Sequence, residues 1–185
     1  MARRIKFAGV TRLALGLVAI AAIAVLNGCA PYPRLMGFPY NANGQTANSP
    51  AAETDPETTG RYLVFASDRA KSQDIYLYDI EQRRLIDLPG LNSLNLLASD
   101  PDISQDGRYI TFLGSRQGRS GIYLYDRQTQ QLRNLTQNLD AEVRHPSISA
   151  NGERIAFESS AIGQWDIFIY NRAGQPIDRV PMDPR

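Results

Sequence analysis

Gly107-Arg-Tyr-Ile-Thr-Phe-Leu113, a Gly/Ser/Arg loop, and then Gly121-Ile-Tyr-Leu-Tyr-Asp126 is the stretch that decides the fold, because it occurs three times. Counting from Gly60, Gly107 and Gly152, the third residue on is Leu63, Ile110 or Ile155, and the fifth is Phe65, Phe112 or Phe157. The fifteenth is Ile in every copy (Ile75, Ile122, Ile167), and the eighteenth is Tyr (Tyr78, Tyr125, Tyr170), followed by Asp79, Asp126 or Asn171. Leu85, Leu132 and Ile177 lie seven residues past each Tyr. The glycines stand 47 and 45 residues apart. That is in the range of one four-stranded propeller blade and too long for a leucine-rich repeat.

Positions three and five are apolar while two and four are mixed (Tyr62, Tyr109, Arg154; Val64, Thr111, Ala156). A period of two predicts strands with one face turned inward. Second strands are expected at Arg61–Ala66, Arg108–Leu113 and Arg154–Glu158. Third strands are expected at Ile75–Tyr78, Ile122–Tyr125 and Ile167–Tyr170. Short fourth strands follow at Arg84–Leu88, Gln131–Leu135 and Pro176–Val180. Leading strands are expected only at Pro101–Ser104 and Pro146–Ser149, because Asp55-Pro56-Glu-Thr-Thr-Gly60 does not reproduce that pattern. The first blade is thus either incomplete or completed by another segment. Asp106-Gly107 and Asn151-Gly152 are hairpin signals in which both turn positions favour positive φ, which makes these four structural turn residues.

Upstream, Met1 to Arg12 carries Arg3, Arg4, Lys6 and Arg12 without an acid, and Leu13 to Leu26 is uncharged and apolar. A basic start and an apolar run shorter than the roughly 20 residues of a membrane span predict a signal peptide over 1–28, with an uncleaved anchor as the alternative. Leu26-Asn27-Gly28-Cys29 resembles the lipobox of bacterial lipoproteins, with Asn27 less usual in that pattern. The resemblance implies that Cys29, the one cysteine of the chain, is the lipidation site and the new N-terminus. It further implies outer-membrane sorting, since Ala30 follows in place of aspartate. More than one acyl chain gives a stable anchor.

The four charges removed with residues 1–28 are all basic, which leaves 16 Lys and Arg against 19 Asp and Glu, a net charge near −3. No basic run remains, so no nucleic-acid partner is expected. Residues 29–58 are rich in Pro, Asn, Gly, Ala, Thr and Ser and predict a lipidated flexible tether. Its apolar patch from Tyr32 to Tyr40 is a candidate to dock on the first repeat. The remaining 59–185 divides into repeats of about 60–101, 102–146 and 147–185. The expected fold class is all-β, a partial β-propeller of about three four-stranded antiparallel blades.

The pattern Pro-x-Ile-Ser-x-(Asp/Asn)-Gly-x-x-Ile-x-Phe, then Ile-Tyr-x-Tyr-(Asp/Asn), with Leu135-Thr136 and the loop Ala66-Ser67-Asp68-Arg69, resembles the TolB-type β-propeller repeat. That family includes the periplasmic Tol-system protein and the propeller domains of prolyl oligopeptidases. The resemblance covers about Asp55 to Arg185. It implies a fold and leaves the function open, since propellers host unrelated activities. The Tol protein has six blades and a separate α/β domain, whereas this chain has room for three blades and a tether.

An open three-blade arc leaves apolar end faces, since propellers close with typically 4 to 8 blades. Two copies closing a six-bladed ring, a partner protein, or the tether folded over an end face would each cover them.

Chemical motifs are few. Asp102, Ser104 and Asp106 imitate the start of a calcium loop, but its twelfth position is Leu113, without the bidentate acid. Gly118-Arg-Ser-Gly121 is one residue short of a nucleophile elbow and sits in a hairpin loop. His145, the one histidine, reads as a turn residue at a strand entry, with no activated nucleophile beside it in sequence. Asn134-Leu-Thr136 fits a glycosylation sequon, which the bacterial signal makes irrelevant. Trp165 is either packing across a blade or an exposed candidate contact residue.

No catalytic residue, cofactor or metal is therefore expected. The function read from the sequence is a non-catalytic, lipid-anchored periplasmic scaffold that binds a protein partner in the bacterial cell envelope. The alternative is an accessory or degenerate propeller fragment of a prolyl-oligopeptidase-like hydrolase system.

Overall fold

The computed structural model describes residues 45–178. The signal peptide, Cys29, the Tyr32–Tyr40 patch and the segment after Asp178 lie outside the described residues. Twelve strands form three four-stranded antiparallel sheets in simple meander order. The first holds β1 (Glu53–Thr58), β2 (Tyr62–Ser67), β3 (Asp74–Asp79) and β4 (Arg84–Ile86). The second holds β5 (Leu97–Ile103), β6 (Tyr109–Arg116), β7 (Arg119–Asp126) and β8 (Gln131–Asn134). The third holds β9 (Val143–Ile148), β10 (Arg154–Ser159), β11 (Asp166–Asn171) and β12 (Pro176–Asp178). These are the three expected blades, and Phe65, Phe112 and Phe157 occupy matching places in successive sheets, paired with Tyr76, Tyr123 and Phe168.

Three expectations need correction. First, the leading strand of the first repeat is present: β1 pairs with β2, so the first blade is complete and its inner edge reaches into the stretch read as tether. Pro56, Pro101 and Pro146 are evenly spaced by 45 residues, but the turn after Pro56 is two residues shorter than the others, which displaced Gly60 from the register of the pattern. Second, the central strands of the first two blades are buried on both faces, not one. Val64, Phe65 and Ala66 are all buried, as are Ile110, Thr111 and Phe112. The second blade is packed between two neighbours and the first between the second blade and residues 45–52, so neither has a solvent face, and buried Thr111 satisfies its hydroxyl by donating to the Tyr123 carbonyl at 3.0 Å. Third, only the glycine of each Asp/Asn-Gly pair has positive φ, +72° at Gly107 and +70° at Gly152. Ser104 and Ser149 carbonyls accept from the Gly107 and Gly152 amides at 2.8 and 2.7 Å, so each turn is a type I turn closed by a left-handed glycine. Asp106 and Asn151 cap the turn through their side chains: Asp106 accepts from the Ser104 hydroxyl and the Arg108 amide, and Asn151 from Ser149 and the Glu153 amide.

Side chains two, four and six residues past each glycine face the following blade, and those three and five past it face the preceding one. Val64, Ala66, Ile75 and Leu77 therefore meet Ile110, Phe112, Tyr123 and Tyr125 in one core, and Ile122 and Leu124 meet Ile148, Ile155 and Phe157 in the other. Each seam is finished by a tyrosine. Tyr62 lies against the Gly107 turn, where an added Cβ would stand 2.2 Å from its ring, and Tyr109 lies against Gly152 in the same way. Arginines lie over both rings: Arg61 and Arg127 lie 5.1 and 5.2 Å from the Tyr62 centroid, and Arg108 and Arg172 lie 4.8 and 4.7 Å from that of Tyr109.

The free face of the first blade is covered by the end of the tether. Arg69 lies over the Phe65 and Tyr76 rings at 5.1 and 4.7 Å and donates to the Thr46 and Ala47 carbonyls and to Glu53. Asp68 accepts from the Ala52 amide, and the Gln45 carbonyl accepts from Leu85. Phe65 is left 2% exposed.

Candidate functional site

The leading strands β1, β5 and β9 run side by side, and each carries the same defect. Asp55-Pro56 stands opposite Phe65, Asp100-Pro101 opposite Phe112 and His145-Pro146 opposite Phe157, two residues against one. These are β-bulges, which like edge positions accept proline, a residue with no amide hydrogen for the ladder. The residue before each proline is left-handed, with φ of 51° at Asp55, 47° at Asp100 and 48° at His145. Asp and His tolerate that region better than most side chains. A residue so held is strained, and such strain concentrates where a backbone has to aim a group.

What the bulges aim at is shared. Asp55, Pro56, Glu57, Asp100, Pro101, Asp102, His145, Pro146 and Ser147 line one cleft of ≈ 410 Å³ at the inner edge of the three blades. Four carboxylates and one imidazole face it from three successive repeats. Asp102 is committed to the seam: its Oδ2 accepts from the Ser147 hydroxyl at 3.0 Å and the Ile148 amide at 2.7 Å. Asp100 accepts from Ser99, and His145 Nδ1 lies 3.3 Å from Glu158, which also takes the Arg144 guanidinium at 2.6 Å. That charged hydrogen bond from Arg144 is the main reason the Glu158 carboxyl sits below its ordinary value. The arrangement offers carboxylates to a cation and presents a rigid, proline-braced wall.

Of the residues singled out in the sequence, Asp106, Gly107, Asn151 and Gly152 lie at the seam turns, outside this cleft. His145 is a bulge residue on its wall, not a turn residue. Trp165 stands apart, 41% exposed, stacked on Arg144 at 3.9 Å beside a second cleft of ≈ 860 Å³ between the second and third blades. Asp55, Glu57 and Asp100 were missed. The signal that finds them is the X-Pro pair repeating every 45 residues, which alignment on the glycines puts out of step in the first repeat.

Charge also braces the outer parts of the blades. Arg61 pairs with Asp79 and Arg108 with Asp126, each at 2.8 Å, whereas the third repeat has Glu153 and Asn171 at these positions. The Arg108 hydrogen bond holds the Asp126 carboxyl at about 2. A carboxyl depressed in the folded state stabilises fully above its unfolded value near 3.8 and loses that contribution as pH falls toward 2. The thermal midpoint is expected to fall between pH 4 and 2. Asp126→Asn is expected to be less stable than wild type at pH 6 and to converge with it near pH 2, as melting curves across that range will test.

No family model matches this sequence, and no curated protein does. Solved structures do. TolB of Acinetobacter baumannii superposes with a TM-score of 0.56 at 22% identity over 68% of this chain and 31% of that one. This chain's fold is a partial TolB-type β-propeller. A protein of Agrobacterium tumefaciens described as a TolB gives 0.52 at 23% identity, over 70% of this chain and 48% of that one. The β-propeller domain of the Trilobed protease from Pyrococcus furiosus gives 0.51 at 18%, over 69% and 42%. The TolB-like propeller described here thus spans less than half the length of each of these chains. The propeller architecture is common to TolB proteins and peptidase domains, so the fold by itself does not choose between a binding and a proteolytic setting.

Proposed function

We propose that this protein is a non-catalytic, lipid-anchored scaffold on the periplasmic side of the bacterial envelope, held by acyl chains on Cys29, whose propeller binds a protein partner. The observation that carries the reading is the inner cleft, where three repeats converge through identical bulges and present Asp55, Glu57 and Asp100. Carboxylates set on a rigid wall suit a partner segment carrying Lys, Arg or a free amino terminus, and hydrogen bonds to such charged groups are worth about 1.5–3 kcal/mol each. The second reading, an accessory propeller of a hydrolase system, is favoured by the likeness to the Trilobed protease domain.

Two experiments test the proposal. Cys29→Ser is expected to move the protein from the membrane to the soluble fraction; retention at the membrane would point to an uncleaved anchor. A pull-down from membranes with Cys29 intact is expected to recover an envelope protein, and the pair Asp55→Lys and Asp100→Lys to lose it. Recovery of a peptidase instead would favour the hydrolase reading, and capture that ignores both reversals would remove the cleft as the binding site.

A further inference from the structure

The two ends of the blade arc are unequal. Ile75 and Ile122 occupy one repeat position and are fully buried by the following blade, while Ile167 at the same position is 56% exposed. Leu77 and Leu124 are likewise buried, and their counterpart Ile169 is only partly so. The outward face of the third blade is therefore a blade-to-blade face without its blade. It does not repeat the seam chemistry of the others. Arg154 stands where Tyr62 and Tyr109 seat on a turn glycine, Ser147 where Asp102 clamps the next strand, and Glu158 where Ala66 and Leu113 close the core.

We propose that this face pairs with the same face of a second copy of the chain, about a two-fold axis. Among the described residues a single blade face is open, because the tether end and Arg69 already occupy the face of the first blade. Head-to-tail closure of a ring would have to displace that strap; two-fold pairing displaces none of the described residues. The charges on the face can pair across a two-fold axis, with Glu158, which already holds Arg144 at 2.6 Å and His145 at 3.3 Å in its own chain, accepting a further guanidinium. Ala156 lies opposite Ile169 in the ladder, with Arg154 two residues before it and Glu158 two residues after, all on the outward face. A two-fold axis lying across the strands at Ala156 reverses strand direction. It brings Ile169 against the partner's Ile169 and each Arg154 against the partner's Glu158. Arg154 makes no side-chain ion pair among the described residues and is available for this contact.

The area sets the strength. Four strands about 4.8 Å apart and six residues of about 3.3 Å give a face of roughly 19 by 20 Å. Two such faces bury roughly 800 Å², below the ~1,200–2,000 Å² of stable dimers, so the pairing is weak and concentration-dependent.

Sedimentation equilibrium of the full chain in mild detergent, raised to about 1 mM, tests it, with thermal midpoints checking that each variant is folded. A monomer–dimer equilibrium is expected, and Ile167→Arg is expected to raise the dimer Kd at least about tenfold. Arg154→Glu alone and Glu158→Arg alone should each weaken the dimer, and an equimolar mixture of the two should regain it, since every cross-contact then joins opposite charges. Tyr78→Arg, on the strapped face, should leave the dimer unchanged. A chain that stays monomeric throughout, or a mixture that fails to recover, overturns the proposal. Loss of the dimer in Tyr78→Arg overturns it in favour of a head-to-tail ring. The pull-down that tests the inner cleft is independent of all these outcomes.

Discussion

Gly107→Ala is expected to destabilise the protein by roughly 3 kcal/mol, the sum of left-handed strain and overpacking at a seam. Gly107 has φ +72°, and its missing Cβ would fall 2.2 Å from Tyr62 Cε2 and 2.3 Å from Cδ2. The methyl group can be admitted only by moving the ring. That ring carries two guanidinium groups over it and packs against the first seam core, so its displacement loosens one blade from the next. For a unit of this size the thermal midpoint should drop by about 10 °C. Gly118 supplies the control: its φ is +76°, with nothing within 4 Å of an added Cβ. Gly118→Ala should cost only the backbone strain, about 1–2 kcal/mol. The double variant Gly107→Ala/Tyr62→Ala should be less destabilised than the sum of its singles, because the second change removes the obstacle to the first. Additivity in that cycle would show that the two groups do not meet.

Phe112→Ala is expected to cost about 3–5 kcal/mol, the range for truncating a fully buried aromatic side chain. Phe112 belongs to the middle blade, is fully buried, stacks on Tyr123 at 5.5 Å and stands opposite the Asp100-Pro101 bulge. Its truncation therefore opens a cavity at the first seam and removes the support behind the inner cleft. Ile167→Ala, at an equally regular repeat position but on the open face, should change stability by no more than about 0.5 kcal/mol. Denaturant unfolding of both variants measures the contrast. Similar losses in the two would mean that the face of the third blade is already covered in the isolated chain.

The blade count, the strand order within a blade and the buried Phe and Ile positions were legible in the chain, because a repeat imposes the same local pattern three times and a strand declares its faces by alternation. The burial of Thr111 was not legible, since a neighbouring blade, not the strand itself, decides whether the second face meets water. Nor was β1 apparent, because a turn two residues shorter breaks the glycine register while leaving the Phe65 opposite its bulge.

The inner cleft shows the same division at the level of function. Asp55, Asp100 and His145 look unrelated in sequence, as two acids and a base before prolines. Alone, each is a strained residue in an edge strand. They become one site because successive blades pack with their leading strands side by side, so that residues 45 apart along the chain become neighbours in space. Local pattern thus determined the blades and their cores. Only packing between blades decided which side chains share a cleft, which tyrosines lock the seams, and why one end of the arc is strapped while the other stays open, since each depends on contacts between residues far apart in the chain.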